Sequence, residues 1–141
     1  MLTTVEKVIF LQDVDIFQMI STEDLARLGA IAEEIEYKKD QVVFQINELS
    51  DSMYMVIDGK VSLDRDGDTV MFAGPKDVFG TWALFDDEAR VVNATVVEPS
   101  ILLRIDKEDF IDLLADNVQI TQSVLKAIVG KLRNLMTRTK A

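Results

Sequence analysis

The 141-residue chain contains no cysteine and no histidine. The first absence excludes disulfides, thiol nucleophiles and thiolate metal sites. The second excludes serine–histidine triads and the histidine-held metals of cupin-type barrel enzymes. Carboxylates remain as acid–base groups, but 25 Asp and Glu read mainly as solvated surface. Basic residues are comparatively scarce: 15 Lys and Arg leave a formal net charge of −10. Proteins that grip nucleic acid neutralise its phosphates with Lys and Arg, so this chain would repel a duplex and no nucleic-acid partner is expected. No apolar run approaches the roughly 20 residues that span a bilayer. No basic-then-apolar start marks a signal peptide. The expectation is a cytoplasmic protein with no direct membrane insertion, no metal and no catalytic residues.

What is present suits a globular domain with a real core. The chain is 48% hydrophobic, with a mean hydropathy of +0.13. A domain of this size buries about two-thirds of its unfolded surface. The pattern predicts one domain over 1–141, divided into an N-terminal helical part (3–36), a β region (37–105) and C-terminal helices (106–137).

Val5, Val8, Ile9 and Leu11 recur at helical spacing, and Ser21-Thr22-Glu23-Asp24 is a helix start with a serine cap. Leu25, Leu28, Ile31, Ala32 and Ile35 form one stripe, which predicts a helix ending near Glu34. From Tyr37 the period shortens. Val42–Phe44, Met53–Ile57, Lys60–Leu63, Thr69–Phe72, Asn93–Val97 and Ile101–Ile105 read as strands. Asp58-Gly59, Asp66-Gly67 and Glu98-Pro99-Ser100 read as the turns between them. Such a succession predicts a mostly β fold, a jelly-roll or β-roll barrel of about eight short strands with flanking helices. Asp64-Arg65-Asp66-Gly67-Asp68 lacks the spacing of a calcium loop and is better read as a hairpin. Asp106 caps a helix carrying Phe110, Leu113 and Leu114, and a long C-terminal helix runs from about Val118 to Met136. Leu125, Ile128, Leu132 and Leu135 form a heptad seam on it, suited either to a homodimer or to covering the barrel. Lys126, Lys131, Arg133, Arg138 and Lys140 suit the negative end of its dipole.

Phe79-Gly80-Thr81-Trp82-Ala83-Leu84 carries the chemistry. A glycine lets backbone approach an anion, and a helical turn after it presents free N–H groups. Arg90 lies within reach to clamp an oxyanion with two parallel hydrogen bonds. Trp82 is the lone tryptophan, expected as a core aromatic at one end of the barrel, with partial filling of the pocket as the alternative.

Phe79, Gly80, Ala83, Leu84, Ala94, Thr95 and Val96 match the phosphate-binding cassette of the cyclic-nucleotide-binding domain family, which the chain resembles over about residues 12–136. Phe44, Tyr54, Val56, Gly59 and Val61 follow the family's preceding pattern, with Asn47 and Ser50 where glycines are common. Ile101–Ile105, Asp109-Phe110 and Leu113-Leu114 are similar to its last strand and following helix. The resemblance implies a regulatory sensor whose ligand, cyclic AMP or cyclic GMP, docks its phosphate on the amides of Gly80 to Leu84 and on Arg90. Thr81 would face the ribose, where the family carries glutamate. Asn93, Ala94 and Thr95 would line the phosphate side. Loop closure would shift the hinge near Asp106 to Phe110 and move the last helix.

Counted back from Ala94-Thr95, the family's arginine position falls on Val92. Counted forward from Leu84, Arg90 has ordinary spacing and a two-residue insertion follows it. Asp86, Asp87 and Glu88 offer Arg90 surface partners. The alternative function is an altered cassette that binds no nucleotide, in a module for dimerisation or protein interaction. No helix–turn–helix follows before Ala141, and Val5–Leu11 resembles the linker before such domains in larger proteins. The chain reads either as a piece of a longer parent chain with an output domain or as a stand-alone regulatory subunit.

Overall fold

The computed structural model describes residues 1–139. Lys140 lies outside them. The chain packs as two compact units. One comprises residues 31–110 with Met1; the other comprises Leu2–Ala30 and the chain from Ile111 onward.

The first unit is an antiparallel sheet of six strands: β1 (Ala32–Tyr37), β2 (Val42–Phe44), β3 (Ser52–Arg65), β4 (Asp68–Ala73), β5 (Val78–Phe79) and β6 (Asn93–Asp106). Strands β3 and β6 pair along most of their length. Each also takes a second partner at either end: β1 and β2 on β6, β4 and β5 on β3. One cluster gathers Phe44, Tyr54, Val56, Val61, Leu63, Phe79 and Val96, so the inward positions of both ends of β3 share a single core. That closure makes the sheet a roll.

Six strands stand where about eight short ones were expected: two expected turns lie inside continuous strands, so four expected strands merge into β3 and β6, while β1 and β5 are added. Asp58-Gly59 is part of β3 and Glu98-Pro99-Ser100 part of β6. Pairing passes from Asp58↔Ile101 to Lys60↔Glu98, leaving Gly59 opposite the Pro99-Ser100 pair. This is a bulge, where a proline without an N–H is tolerated and the strand bends. Gly59 takes φ +102°, and Ser100 Oγ accepts from Lys60 N–H at 3.0 Å. Asp66-Gly67 is a true reversal, both residues left-handed, which matches the favoured two-residue hairpin turn.

A second correction concerns α2 (Thr22–Ile31), capped by Ser21 Oγ accepting from Asp24 N–H. It stops before Ala32, and residues 32–37 form β1 instead of more helix. Ile31, Ala32 and Ile35 fit a helical stripe, but six consecutive ladder pairs to β6 supply the backbone partners that decide the matter.

In the second unit α1 (Thr4–Leu11) begins with a capping box between Thr3 and Glu6. With a 3-10 turn (Asp15–Phe17), α2 and α4 (Val118–Thr139), it buries Leu11, Phe17, Leu25, Leu28, Ile120 and Val124. Lys131 pairs with Asp15. Helix α3 (Lys107–Asp116) starts in the first unit and ends in the second. Its cap is Asp106, whose Oδ1 accepts from the N–H groups of Glu108 and Asp109. Among the described residues no helix is long and apolar enough to cross a membrane.

Candidate functional site

Between β5 and β6 the chain turns at Gly80, whose φ of +75° falls in the left-handed region that favours glycine. A 3-10 turn, Thr81–Leu84, follows. Ala83 N–H donates to Gly80 O at 3.1 Å and Phe85 N–H to Trp82 O at 3.0 Å. Ala83 and Leu84 point inward and are buried. Trp82 points out and is 75% exposed. The expected core role for Trp82 is thus overturned. With Ala83 and Leu84 anchoring so short a turn, the residue before them has the solvent side.

Arg90 is the reverse case. It is 5% exposed and makes no surface pair with Asp86, Asp87 or Glu88. Its backbone is held from the β2–β3 loop. Arg90 N–H donates to Glu48 O, and Asn47 N–H donates to Arg90 O, each at 2.9 Å. Asn47 is left-handed, φ 72°, a conformation asparagine tolerates. The guanidinium then runs inward. Nη2 donates to Ser52 O at 2.7 Å and Ser52 Oγ at 3.2 Å. The Asp51 carboxylate lies 3.7 Å away, itself half exposed. The group rests 4.0 Å above the Phe44 ring, which packs with Tyr54 and Phe79. Its Nε is buried without a hydrogen-bond partner. Burial is the main influence on this group and pushes its pKa below the ordinary value, opposed by Tyr54 and Asp51. An arginine nevertheless stays protonated at neutral pH.

A cavity of about 510 Å³ opens over these groups. Phe79, Gly80, Thr81, Trp82, Ala83 and Arg90 border it. A Cβ on Gly80 would lie 2.7 Å from Arg90 Nη1, so the glycine is what lets backbone and guanidinium meet at one end. Leu63, Met71, Val91 and Val92 provide apolar wall, and the carboxylate residues Asp86 and Glu88 stand in it.

Leu84, Asn93, Ala94 and Thr95, expected with this group, do not border the cavity. Leu84 and Ala94 are buried. Thr95 sits in β6 opposite Val42 and Ser62. The Asn93 amide accepts from Ile46 N–H at 2.9 Å and donates to Asp64 at 3.0 Å, a brace between strands. Val92 is partly buried against the core, so the arginine brought to the cavity is the one with ordinary spacing from Leu84.

Sequence reasoning missed the residues that hold Arg90. Phe44 and Tyr54 were marked only as part of the fold pattern, and nothing distinguished Asp51 or Ser52 from other strand-edge polar residues. It also missed Lys107. Its ammonium donates to Asp86 O at 2.6 Å and pairs with Asp87, fastening the first residue of α3 to the cassette loop. Phe85 meets Phe110 edge to face at 5.7 Å beside it. Asp51 additionally faces Arg104 at 3.7 Å, and Arg104 lies 3.4 Å from the capping residue Asp106.

Comparison with known proteins places this geometry. The sequence profile of the cyclic nucleotide-binding domain matches residues 34–117. A CRP-like cAMP-activated global transcriptional regulator of Mycobacterium tuberculosis is 28% identical over 123 residues, covering 84% of this chain and 55% of that protein. A cAMP-dependent protein kinase regulatory subunit of Debaryomyces hansenii is 29% identical over 116 residues, 81% of this chain and 25% of its own length. The chain therefore spans about half the length, or less, of these curated relatives. Among solved structures, the N-terminal domain of a transcriptional regulator from Streptomyces coelicolor A3(2) superposes with a TM-score of 0.85 at 24% identity, covering 89% of this chain and 94% of that one. The sensor domain of the transcriptional regulator DNR from Pseudomonas aeruginosa gives 0.74 at 22%, covering 95% and 93%. At such identities the likeness speaks for the fold.

Proposed function

This chain belongs to the cyclic-nucleotide-binding domain family, and from that premise we propose that it is a regulatory sensor for a 3′,5′-cyclic nucleotide, not a catalyst. The observation that carries the reading is Arg90. A buried guanidinium costs several kcal/mol in desolvation unless paired. Its nearest carboxylate is 3.7 Å off and half exposed, and its Nε has no partner. It borders a cavity beneath the left-handed Gly80. An oxyanion there would receive Arg90 together with the amides of Thr81 and Trp82, which open the turn, while that of Ala83 is taken by Gly80 O.

Charge narrows the ligand. Arg90 brings one positive charge to the cavity, while Asp86 and Glu88 bring two negative ones. A singly charged phosphodiester suits that balance better than a nucleoside di- or triphosphate. The volume of about 510 Å³ falls in the range of small-molecule sites. Thr81 borders the cavity and supplies a hydroxyl where the resemblance puts the ribose. Because cyclic nucleotides are intracellular signals, the reading places the chain in the cytoplasm. Helix α3, fastened to the cassette loop through Lys107, is the route by which occupancy would be passed along the chain to α4 and to an output segment of a longer parent.

The test is titration calorimetry with cyclic AMP and cyclic GMP, paired with thermal unfolding. Ligand at 100 times its dissociation constant should stabilise the domain by about 2.7 kcal/mol. Arg90→Ala should remove both heat and shift. No heat and no stabilisation by either nucleotide at millimolar concentration would refute the sensor reading.

A second reading rests on α4. Leu125, Leu132 and Leu135 are each more than half exposed, and Ile128 is partly buried. This face suits pairing with the same face of a second copy, either as the output of the sensor or, were the cassette silent, as the protein's whole role in interaction.

A further inference from the structure

Resting on the cyclic-nucleotide reading, we propose that Trp82 is the residue that recognises the base, a stacking platform that makes this site select purine rings. An indole left 75% exposed forgoes the burial that normally recommends tryptophan. Nothing in the fold forces it out of some other role, since Ala83 and Leu84 already anchor the turn. Its placement is specific. It borders the same cavity as Arg90, two residues after the glycine that lets backbone approach the guanidinium. The cavity lining thus combines the guanidinium of Arg90 beside Gly80 with apolar surface from Met71, Val91 and the indole.

A ligand with its phosphate on Arg90 has the rest of the same lining, the indole included, against which to lay its body. The flat part of a nucleotide is its base, and indole offers a large rigid π-face for it. Val91 and Met71 are both exposed and apolar, so their side chains add contact area and no edge recognition; Thr81, Asp86 and Glu88 are the polar side chains of the lining beside Ser50 and Arg90. The contribution of the indole itself follows ring area, because stacking reads the face of a base and not its edge. Both purine cyclic nucleotides should gain from the indole, and the single-ring cyclic CMP should gain less.

The full chain is titrated with cyclic AMP and cyclic CMP, following heat and the emission of its single tryptophan. The expected result is a change of Trp82 emission that saturates together with the heat. Trp82→Ala should weaken cyclic AMP by about tenfold or more, the scale of losing one base–aromatic stack, and cyclic CMP by less. Trp82→Phe should retain most of the affinity. Because the side chain is exposed, both variants should unfold at the wild-type temperature, which separates a binding defect from a folding one. Unchanged cyclic AMP affinity in Trp82→Ala would overturn the platform while leaving phosphate docking at Arg90 intact. A wild-type chain that binds neither nucleotide would overturn both the platform and the sensor reading beneath it.

Discussion

At Gly59 a backbone and a side chain compete for the same few ångströms. A Cβ there would lie 2.1 Å from Ser100 Oγ and 2.6 Å from Ser100 Cα, and φ is already +102°. Backbone cannot yield as the tip of a long side chain can. Left-handed strain and overpacking together predict that Gly59→Ala costs about 2–5 kcal/mol, read from the urea midpoint. Gly130 makes the contrast. It lies within α4 with nothing within 4 Å of its would-be Cβ, so Gly130→Ala should stabilise the same chain by up to about 1 kcal/mol. Gly80 stands between these cases. Its added methyl would meet the guanidinium of Arg90, a group held in place by Ser52 and Phe44. The same absence of a side chain thus serves a strand bulge at one glycine and the proposed ligand site at another.

Elements in this fold are joined by short polar ties as well as by core. Lys107 is the clearest, the first residue of α3 reaching back to Asp86 and Asp87 in the cassette loop. Its hydrogen bond and its charge hold the Asp87 carboxyl below the usual carboxylate range. The sign follows from that direction. A carboxyl whose pKa is lower folded than unfolded adds stability that is present above its ordinary value, near 4, and lost as pH falls through the folded value. Carboxyl-carbon NMR titration should find Asp87 depressed in the wild type and restored to the ordinary range in Lys107→Met. The same variant should exchange the amide protons around Phe85 to Glu88 faster, since the loop then loses its tie to α3. Unchanged exchange would mean that the Phe85–Phe110 contact alone holds the loop.

The molecule as a whole carries a charge of −10 and an apolar stripe on its last helix, and these act in opposite directions on association. Net repulsion keeps copies apart at low salt, whereas burial of Leu125, Leu132 and Leu135 would draw them together. Sedimentation velocity should find a dimer that strengthens as salt rises. Leu125→Glu combined with Leu132→Glu should leave a monomer with the wild-type unfolding temperature apart from the loss due to dissociation. A wild-type monomer at high concentration and high salt would remove the pairing of α4.

Periodicity and capping determine much of this protein within the sequence itself. Ser21 and Asp106 start helices because their side chains can take up a free N–H within three residues. Asp66-Gly67 is a reversal, legible because its left-handed turn is decided locally; Val42–Phe44 is legible as a strand from its apolar, β-branched run, although its ladder partners Thr95 and Ala94 are distant. The run from Phe79 to Leu84, with its lone glycine, marked the cassette. Non-local pairing decided the rest. Asp58-Gly59 could end a strand or bulge it, and only the Pro99-Ser100 segment across the ladder determines which. Ile35 fits a helix or a strand, and β6 supplies the partners that make it strand. Arg90 was legible as a candidate, but its burial over Phe44, with Ser52 as acceptor and Asp51 nearby, rests on residues some forty positions away in the chain. Local order follows from hydrogen bonds a few residues apart, which a sequence displays; the electrostatics of a site follow from which distant groups the fold excludes water between, which it does not.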